Sequence, residues 1–318
     1  VHASLRAAAP GTLPAELVTS GPYRLQSRRV RDRVRVERNP YYWKTDPASL
    51  GVIDFLAVES QFTALNLFLA GEADFVPNVP RLAVPRLLAE HPDAFRPSPQ
   101  FASISLRLNL RHPLLANHEL RLALAQSLDR KALAEMIGGG RAASASLVPP
   151  LLPEYRSLPS PAGEDLPAAL AHLARAKEQL GTLGIQVEDA LACLELLVSS
   201  NEQNRDLAAA LREQWRTRLG LTIRIQALES REARAAERAG EYALARGSWV
   251  GDYLDPETFL SPFHAGDPGN RTGFDDPEYE ALLAAAAAAA EPAARLVLLA
   301  HAEQRLLAEA AVIPLLTD

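Results

Sequence analysis

The feature that most constrains the fold is an alternation of helical and strand patterns through the second half of the sequence. Helical periodicity and short apolar runs follow one another there, and they place helices at 167–182, 202–218 and 230–239 and strands at 191–198, 221–227 and 242–246. Helices that alternate with strands over such a length pack on the faces of a shared sheet. We therefore predict an α/β fold for this half of the chain.

The first part of the sequence has a different pattern, because short strands dominate it and prolines interrupt it up to about residue 100. The strand patterns occupy 23–25, 33–38 and 53–58. The prolines indicate a lobe boundary near 95–102. We expect residues 1–100 to form a partial first lobe and residues 101–318 to form a second α/β lobe.

Two further local expectations concern residues that could have carried chemistry. Apolar spacing predicts one helix over 117–137, on which Asp129 and Arg130 form a surface charge pair rather than an acid–base pair. The single cysteine, Cys193, lies within the apolar run Leu191–Val198, and we expect it to be a buried structural thiol.

Composition excludes several classes of function. The 318 residues carry a formal net charge of −6 and contain no basic run, which argues against nucleic acid and anionic membrane surfaces as partners. The histidines do not have the spacing of zinc ligands, and neither phosphate-binding nor nucleophile-elbow motifs occur. We therefore expect no metal, no cofactor and no catalytic constellation.

The segment 241–263 is the first candidate binding site. Its strand is expected to end at a Gly-Ser turn, after which come an aromatic residue and a carboxylate; the candidates are Arg246, Trp249, Asp252 and Tyr253. An aromatic face beside a carboxylate suits a ligand that carries an ammonium group. The alternative is structural: the aspartate caps the following helix and the tryptophan fills the core.

A second candidate is the polar turn between the strand 191–198 and the helix 202–218. Ser199, Asn201 and Asn204 lie in this turn and could contact a ligand. The alternative is that Ser200 or Asn201 caps the helix. Both roles are compatible, since helix N-termini also attract carboxylates.

Several segments along the chain resemble, in the same order, the bacterial extracellular solute-binding proteins of family 5, the oligopeptide and dipeptide receptors of ABC importers. The segments that carry the resemblance are SGPYRL at 20–25, VERNPYYW at 36–43, TALNLFLAGEADF at 63–75, LRLN at 106–109, ELRLALAQSLDRKAL at 119–133, GGGRAASASLVPP at 138–150, the 241–263 segment and FDDPEYEALL at 274–283. Each is weak alone, and their order makes the match strong.

The resemblance implies a two-lobed fold of the periplasmic-binding-protein type II class, with mixed sheets flanked by helices and an incomplete first lobe. It implies that Asp252 grips the α-amino group of a peptide, with Trp249 and Arg246 in the same cavity. Where peptide binders often carry tyrosines, the strand at 101–109 has only one aromatic residue, Phe101. We expect a non-catalytic monomer that binds oligopeptides in an interlobe cleft and docks on ABC permease subunits.

The resemblance also carries expectations about location and completeness. It implies the periplasm or the outer face of the cytoplasmic membrane, either free or attached through a lipid on an N-terminus absent from this sequence. Family members usually have a further N-terminal stretch and a C-terminal tail, so we expect weak, millimolar peptide binding by this chain. The alternatives are a receptor for nickel, a sugar or haem on the same scaffold, and the ligand-sensing domain of a transcription regulator.

Overall fold

Two compact units divide the chain at residues 96 and 97 in the computed structural model, which describes residues 17–44 and 50–317. The first unit ends at Arg96 and the second begins at Pro97. Residues 1–16 and 45–49 of the predicted first lobe lie outside the described part. The assignment of lobes at 1–100 and 101–318 stays a prediction.

The first unit is built on a small antiparallel sheet. Its strands, in the spatial order β1-β2-β3, are β1 (Tyr23–Arg29), β2 (Arg33–Arg38) and β3 (Val52–Leu56). Two helices follow, α1 (Gln61–Leu69) and α2 (Val84–Glu90). The strand patterns predicted here are confirmed, apart from end positions, and in β2 the β-branched residues Val34 and Val36 alternate with arginines.

The second unit contains one six-stranded mixed sheet. Its strands are β4 (Ala102–Leu108), β5 (Ala142–Ala143), β6 (Glu195–Ser199), β7 (Arg224–Leu228), β8 (Leu244–Val250) and β9 (Val312–Thr317). Their spatial order in the sheet is β5-β9-β4-β8-β6-β7. Strands β6 and β7, and β6 and β8, are parallel, whereas β4 is antiparallel to both β8 and β9. The predicted α/β fold with mixed sheets is confirmed.

Helices flank this sheet, as the alternation predicted. They are α3 (His118–Gln126), α4 (Arg130–Ile137), α5 (Leu166–Thr182), α6 (Val187–Ala192), α7 (Glu202–Leu219), α8 (Ser230–Ala239), α9 (Glu257–Leu260), α10 (Pro277–Ala288) and α11 (Pro292–Ala308). Leu173 of α5 and Leu211 and Trp215 of α7 share one buried cluster with Leu196 and Val198 of β6. Burial of these apolar side chains, at about 1.5–3 kcal/mol each, holds the two helices on the sheet.

Two predictions about the segment 117–137 are wrong. The helix predicted over 117–137 is two helices, because the Asp129 side chain accepts the Ala132 N–H (2.9 Å) and starts α4 as its N-cap. Arg130 is buried rather than on the surface, and it donates to the backbone carbonyls of Pro314 and Ala162. Burial lowers the pKa of this guanidinium to about 10.

Cys193 is exposed, contrary to the expectation of a buried thiol. The predicted strand 191–198 begins with the end of α6, and β6 starts only at Glu195. Cys193 therefore sits in the connection between helix and strand, on the solvent side of Leu191 and Leu194, which are both buried.

Candidate functional site

The two predicted binding segments lie at the same edge of the sheet in the second unit. Strands β6 and β8 run parallel, with Leu197 opposite Ala245. Parallel strands have their carboxyl ends at one edge, where ligands of α/β proteins commonly bind. Ser199 ends β6 there, and the part of β8 beyond Ala245 leads into the loop that contains Asp252.

Strand β8 is longer than predicted. Gly247 and Ser248, expected in a turn, are strand residues, because β8 pairs with β4 along its whole length, up to the pair of Ala102 with Val250. Side chains alternate along a strand, so Arg246 and Trp249 project from opposite faces. The Arg246 guanidinium donates to Ser248 Oγ (3.0 Å), which lies on the same face of β8 as Arg246. The structure therefore does not place the two predicted side chains on one wall.

The loop after β8 is held at its backbone by a close approach to the start of β4. The Gly251 N–H donates to the Phe101 carbonyl oxygen (2.7 Å). A Cβ atom at residue 251 would lie 2.5 Å from Phe101 Cδ1, well inside contact distance. Only glycine fits there without a shift of the aromatic ring. This position was missed as a site residue, although a glycine directly before Asp252 was a visible signal.

Thr258 holds the same loop from the other side. Its hydroxyl oxygen accepts the indole N–H of Trp249 (3.2 Å) and the backbone N–H of Asp252 (3.1 Å). Thr258 is only 2% exposed. Sequence reasoning missed this residue, since nothing in a Pro-Glu-Thr-Phe run indicates that its hydroxyl reaches back to the strand end.

Asp252 itself is exposed, and within residues 17–44 and 50–317 no hydrogen bond to its carboxylate is found. It does not cap the following helix. The Glu257 N–H at the start of that helix donates instead to Asp255 Oδ1 (2.9 Å), and the residue at the N-cap position is Pro256. The alternative in which Asp252 is a helix cap is therefore wrong, and the carboxylate faces water on a loop whose backbone is fixed.

An ion-pair cluster fixes the next stretch of the loop to α11. Arg295 donates to both carboxylate oxygens of Asp255 (2.6 and 2.9 Å) and to Glu257 (2.6 Å). The hydrogen bonds that Arg295 donates to the Asp255 carboxylate, more than any other influence, raise the pKa of Arg295. Tyr253, half exposed, has a raised phenol pKa, because of partial burial and then because of the nearby carboxylates Glu257 and Asp255.

The polar turn after β6 is engaged within itself. Asn201 is the N-cap of α7, and its side-chain oxygen accepts the Asn204 N–H (2.9 Å). The Asn204 side chain, which is buried, donates to Ser199 Oγ (3.1 Å). The capping alternative is confirmed. A contact of these three residues with a ligand stays a prediction.

Phe101 is an interior residue rather than an open aromatic surface. It is 8% exposed, and its ring packs edge-on against Phe259 with centroids 4.8 Å apart. Its evident role is to support Gly251. Ligand contact by Phe101 also stays a prediction, and this burial does not favour it.

Two further properties of the described residues concern metal binding and membrane insertion. No cluster of three or more histidine, cysteine, aspartate or glutamate side chains suited to a metal ion occurs in residues 17–44 and 50–317. Over the same residues, no helix has both the length and the apolar character needed to span a bilayer.

Comparison with known proteins agrees with the architecture. The sequence model described as "Bacterial extracellular solute-binding proteins, family 5 Middle" matches residues 2–271. The periplasmic murein peptide-binding protein MppA of Escherichia coli K12 is 28% identical over 305 residues, which cover 96% of this chain and 56% of that protein. The solved structure of the E. coli murein tripeptide binding protein MppA superimposes with a TM-score of 0.85 at 27% identity, covering 99% of this chain and 62% of that one.

Two further relatives show the range of named ligands. The periplasmic oligopeptide-binding protein OppA of Salmonella typhimurium LT2 is 26% identical, with 95% of this chain and 56% of that protein covered. The probable deoxycholate-binding periplasmic protein YgiS of E. coli K12 is 26% identical, again with 95% and 56% covered. The chain thus spans a little over half the length of the curated relatives it matches.

Proposed function

The chain belongs to the bacterial extracellular solute-binding proteins of family 5, and from that premise we propose that it is part of the substrate-binding component of an ABC importer for oligopeptides. Its role is binding without turnover: lobes close around a peptide, and the complex docks on membrane permease subunits. We further propose a periplasmic monomer, in keeping with the periplasmic relatives MppA and OppA. Attachment by a lipid is the alternative to a free protein.

One observation supports a peptide ligand above the others: the fold leaves the Asp252 carboxylate in water while holding its backbone. Gly251 and Thr258 fix the loop by two hydrogen bonds, to the Phe101 carbonyl and from the Asp252 N–H. A carboxylate placed in this way can meet the α-ammonium group of a peptide with little loss of conformational entropy on binding. A charge-assisted hydrogen bond of this kind contributes about 1.5–3 kcal/mol once water is excluded.

The same observation separates peptides from the alternatives. A carboxylate repels an anionic steroid such as deoxycholate, the ligand named for one relative. A nickel ion would need several ligating groups, and the described residues offer no such cluster. Sugars and haem do not require a lone acid at the edge of the sheet.

Ligand screening tests the proposal. The full-length protein of which this chain is part would first be studied by native mass spectrometry for co-purified molecules, and this chain would then be titrated in ¹H–¹⁵N NMR spectra with tri-, tetra- and penta-alanine. We expect peptide adducts, together with saturable shifts at the amides of residues 249–253. Titrations with glucose, haem, nickel and deoxycholate are the comparison. Saturable shifts with one of these, and none with the peptides, would overturn the assignment.

The parent gene's upstream sequence distinguishes the ligand-sensing domain of a transcription regulator from a transport receptor. The residues that precede this chain in its parent gene should encode an export signal. A helix-turn-helix in that position would favour the transcription regulator.

A further inference from the structure

Thr258 is the point at which the two chemically informative residues of the loop are joined. Its hydroxyl oxygen accepts one hydrogen bond from the Trp249 indole and one from the Asp252 backbone. The two donors come from different parts of the segment, a side chain at the strand end and an amide three residues later. One buried oxygen therefore fixes the position of the ring relative to the carboxylate-bearing residue.

Both branches of the Thr258 side chain are used. The hydroxyl accepts the two hydrogen bonds, and the methyl carbon Cγ2 lies 3.1 Å from the place that a Cβ of residue 251 would take. Thr258 thus packs directly under Gly251 while it holds the residues on either side. A serine would keep the hydroxyl alone, and a valine would keep the shape alone.

The start of α9 does not need this hydroxyl. Thr258 lies in the first turn of α9 (Glu257–Leu260). The Glu257 N–H at the start of this helix donates to Asp255 Oδ1 and not to Thr258. Without the Thr258 oxygen, the indole N–H and the Asp252 N–H would lose their partner, and unpaired polar groups at a partly buried site are unfavourable. The loop would then rearrange rather than keep its present geometry.

We propose that Thr258 is a positioning residue for recognition of the ligand's ammonium group. It acts through Asp252 and Trp249 and does not touch the ligand. This inference rests on the proposed function for its effect on affinity, whereas its effect on the loop can be measured without any ligand.

The ligand-free arm compares Thr258→Val with Thr258→Ser in ¹H–¹⁵N NMR spectra. The Trp249 indole signal is assigned with Trp249→Phe, which removes it from those of Trp43 and Trp215. In Thr258→Val we expect displaced Trp249 indole and Asp252 amide signals and at least about tenfold faster hydrogen exchange at both. In Thr258→Ser both signals and both rates should stay close to the wild type.

The ligand arm measures the affinity of the same variants for tri-alanine and for N-acetyl-tri-alanine. Thr258→Val should weaken tri-alanine binding about tenfold and leave the acetylated peptide unchanged, because loss of one or two hydrogen bonds is felt only through the ammonium contact. Thr258→Ser should restore most of the affinity. Thr217→Val, which removes an exposed hydroxyl that donates to the Glu213 carbonyl in α7, is the matched control and should change neither peptide.

The outcomes separate the two claims. If wild type fails to bind tri-alanine, the proposed function fails, while the NMR arm still decides whether Thr258 holds the loop. Unchanged indole and amide signals in Thr258→Val would overturn the positioning role, and so would an equal loss for both peptides. If Thr258→Val melts below the working temperature, Thr258→Ala provides the variant without a hydroxyl, to be compared with Thr258→Ser.

Discussion

Two polar segments lie at the carboxyl edge of the sheet, the turn after β6 and the loop after β8, and their hydrogen bonds are arranged differently. In the turn after β6, Asn201 caps α7 and the Asn204 side chain donates to Ser199 Oγ, so these polar groups are hydrogen-bonded within the turn. In the loop after β8, the bonds come from residues outside the loop, Phe101 and Thr258, and they hold the backbone while the Asp252 carboxylate stays in water.

This difference indicates which polar groups a ligand can use. A side chain whose oxygen already satisfies a helix terminus has its position set by that hydrogen bond, so it can offer a ligand only the donors and lone pairs that remain. An exposed carboxylate on a fixed backbone has no hydrogen bond within the protein to give up, and only water must be removed from it when a ligand binds. We therefore propose that the principal ligand contact lies in the loop and that the turn has a mainly structural role.

The largest effect expected is from Gly251→Ala. The new methyl group would lie 2.5 Å from Phe101 Cδ1, so the loop and the ring must move apart. We expect a loss of about 1–3 kcal/mol in the free energy of unfolding, as for other overpacked sites, together with roughly a hundredfold or greater loss of tri-alanine affinity. Denaturant titration and NMR titration measure the two quantities.

Gly51→Ala is the matched control for this substitution, because a Cβ at residue 51 would meet no atom within 4 Å. It should leave affinity unchanged. If Gly251→Ala binds tri-alanine as tightly as Gly51→Ala does, the loop is not held in the way described, and the contrast between the two segments disappears.

A smaller effect, confined to stability, is expected from Asn201→Ala. Removal of the N-cap oxygen leaves the Asn204 N–H without its partner (2.9 Å) and should lower the free energy of unfolding by about 1 kcal/mol. Affinity for tri-alanine should not change. Asn201→Asp, which keeps a capping oxygen, should restore stability; a loss of affinity in Asn201→Ala at full stability would instead assign the turn to the ligand.

An effect of similar size, again confined to stability, is expected from Ser199→Ala. It removes the acceptor of one hydrogen bond from Asn204 Nδ2 (3.1 Å), worth about 0.5–1.5 kcal/mol of stability. We expect no change in affinity, measured in the same titrations. A tenfold weaker affinity with unaltered unfolding would mean that Ser199 contacts the ligand and that the turn and the loop share the site.

The sequence predicted well those features that depend on neighbours along the chain. The strands β6 and β7 and the helices α7 and α8 follow from local periodicity, and a cap at Ser200 or Asn201 was one of the two alternatives for the turn, because capping needs only the next three residues. The errors have local causes as well: the cap at Asp129 was overlooked inside a continuous apolar pattern, and the helix-to-strand connection at Cys193 was taken for strand.

The support of the candidate site could not be predicted in the same way, because it joins distant parts of the chain. Gly251 meets Phe101, 150 residues away, and Asp255 pairs with Arg295 at a separation of 40 residues. The length of β8 likewise depends on its pairing with β4. A single sequence carries no signal for such contacts, whereas Asp252 itself was a candidate from the residue pattern of 241–263 and the resemblance of that segment to the family.

The most direct test of the central claim is a double cycle of Asp252→Asn and N-acetylation of the peptide. Four affinities are measured in the full-length protein of which this chain is part, those of the wild type and of Asp252→Asn for tri-alanine and for N-acetyl-tri-alanine, with Asp206→Asn as an exposed acid control on α7. We predict that either change alone weakens binding ten- to a hundredfold, about 1.5–3 kcal/mol, and that acetylation then costs the variant little more. The melting temperature of Asp252→Asn should stay near that of the wild type. A lowered melting temperature with intact affinity, or additive losses from the two changes, would contradict the assignment of Asp252 to the ligand's ammonium group.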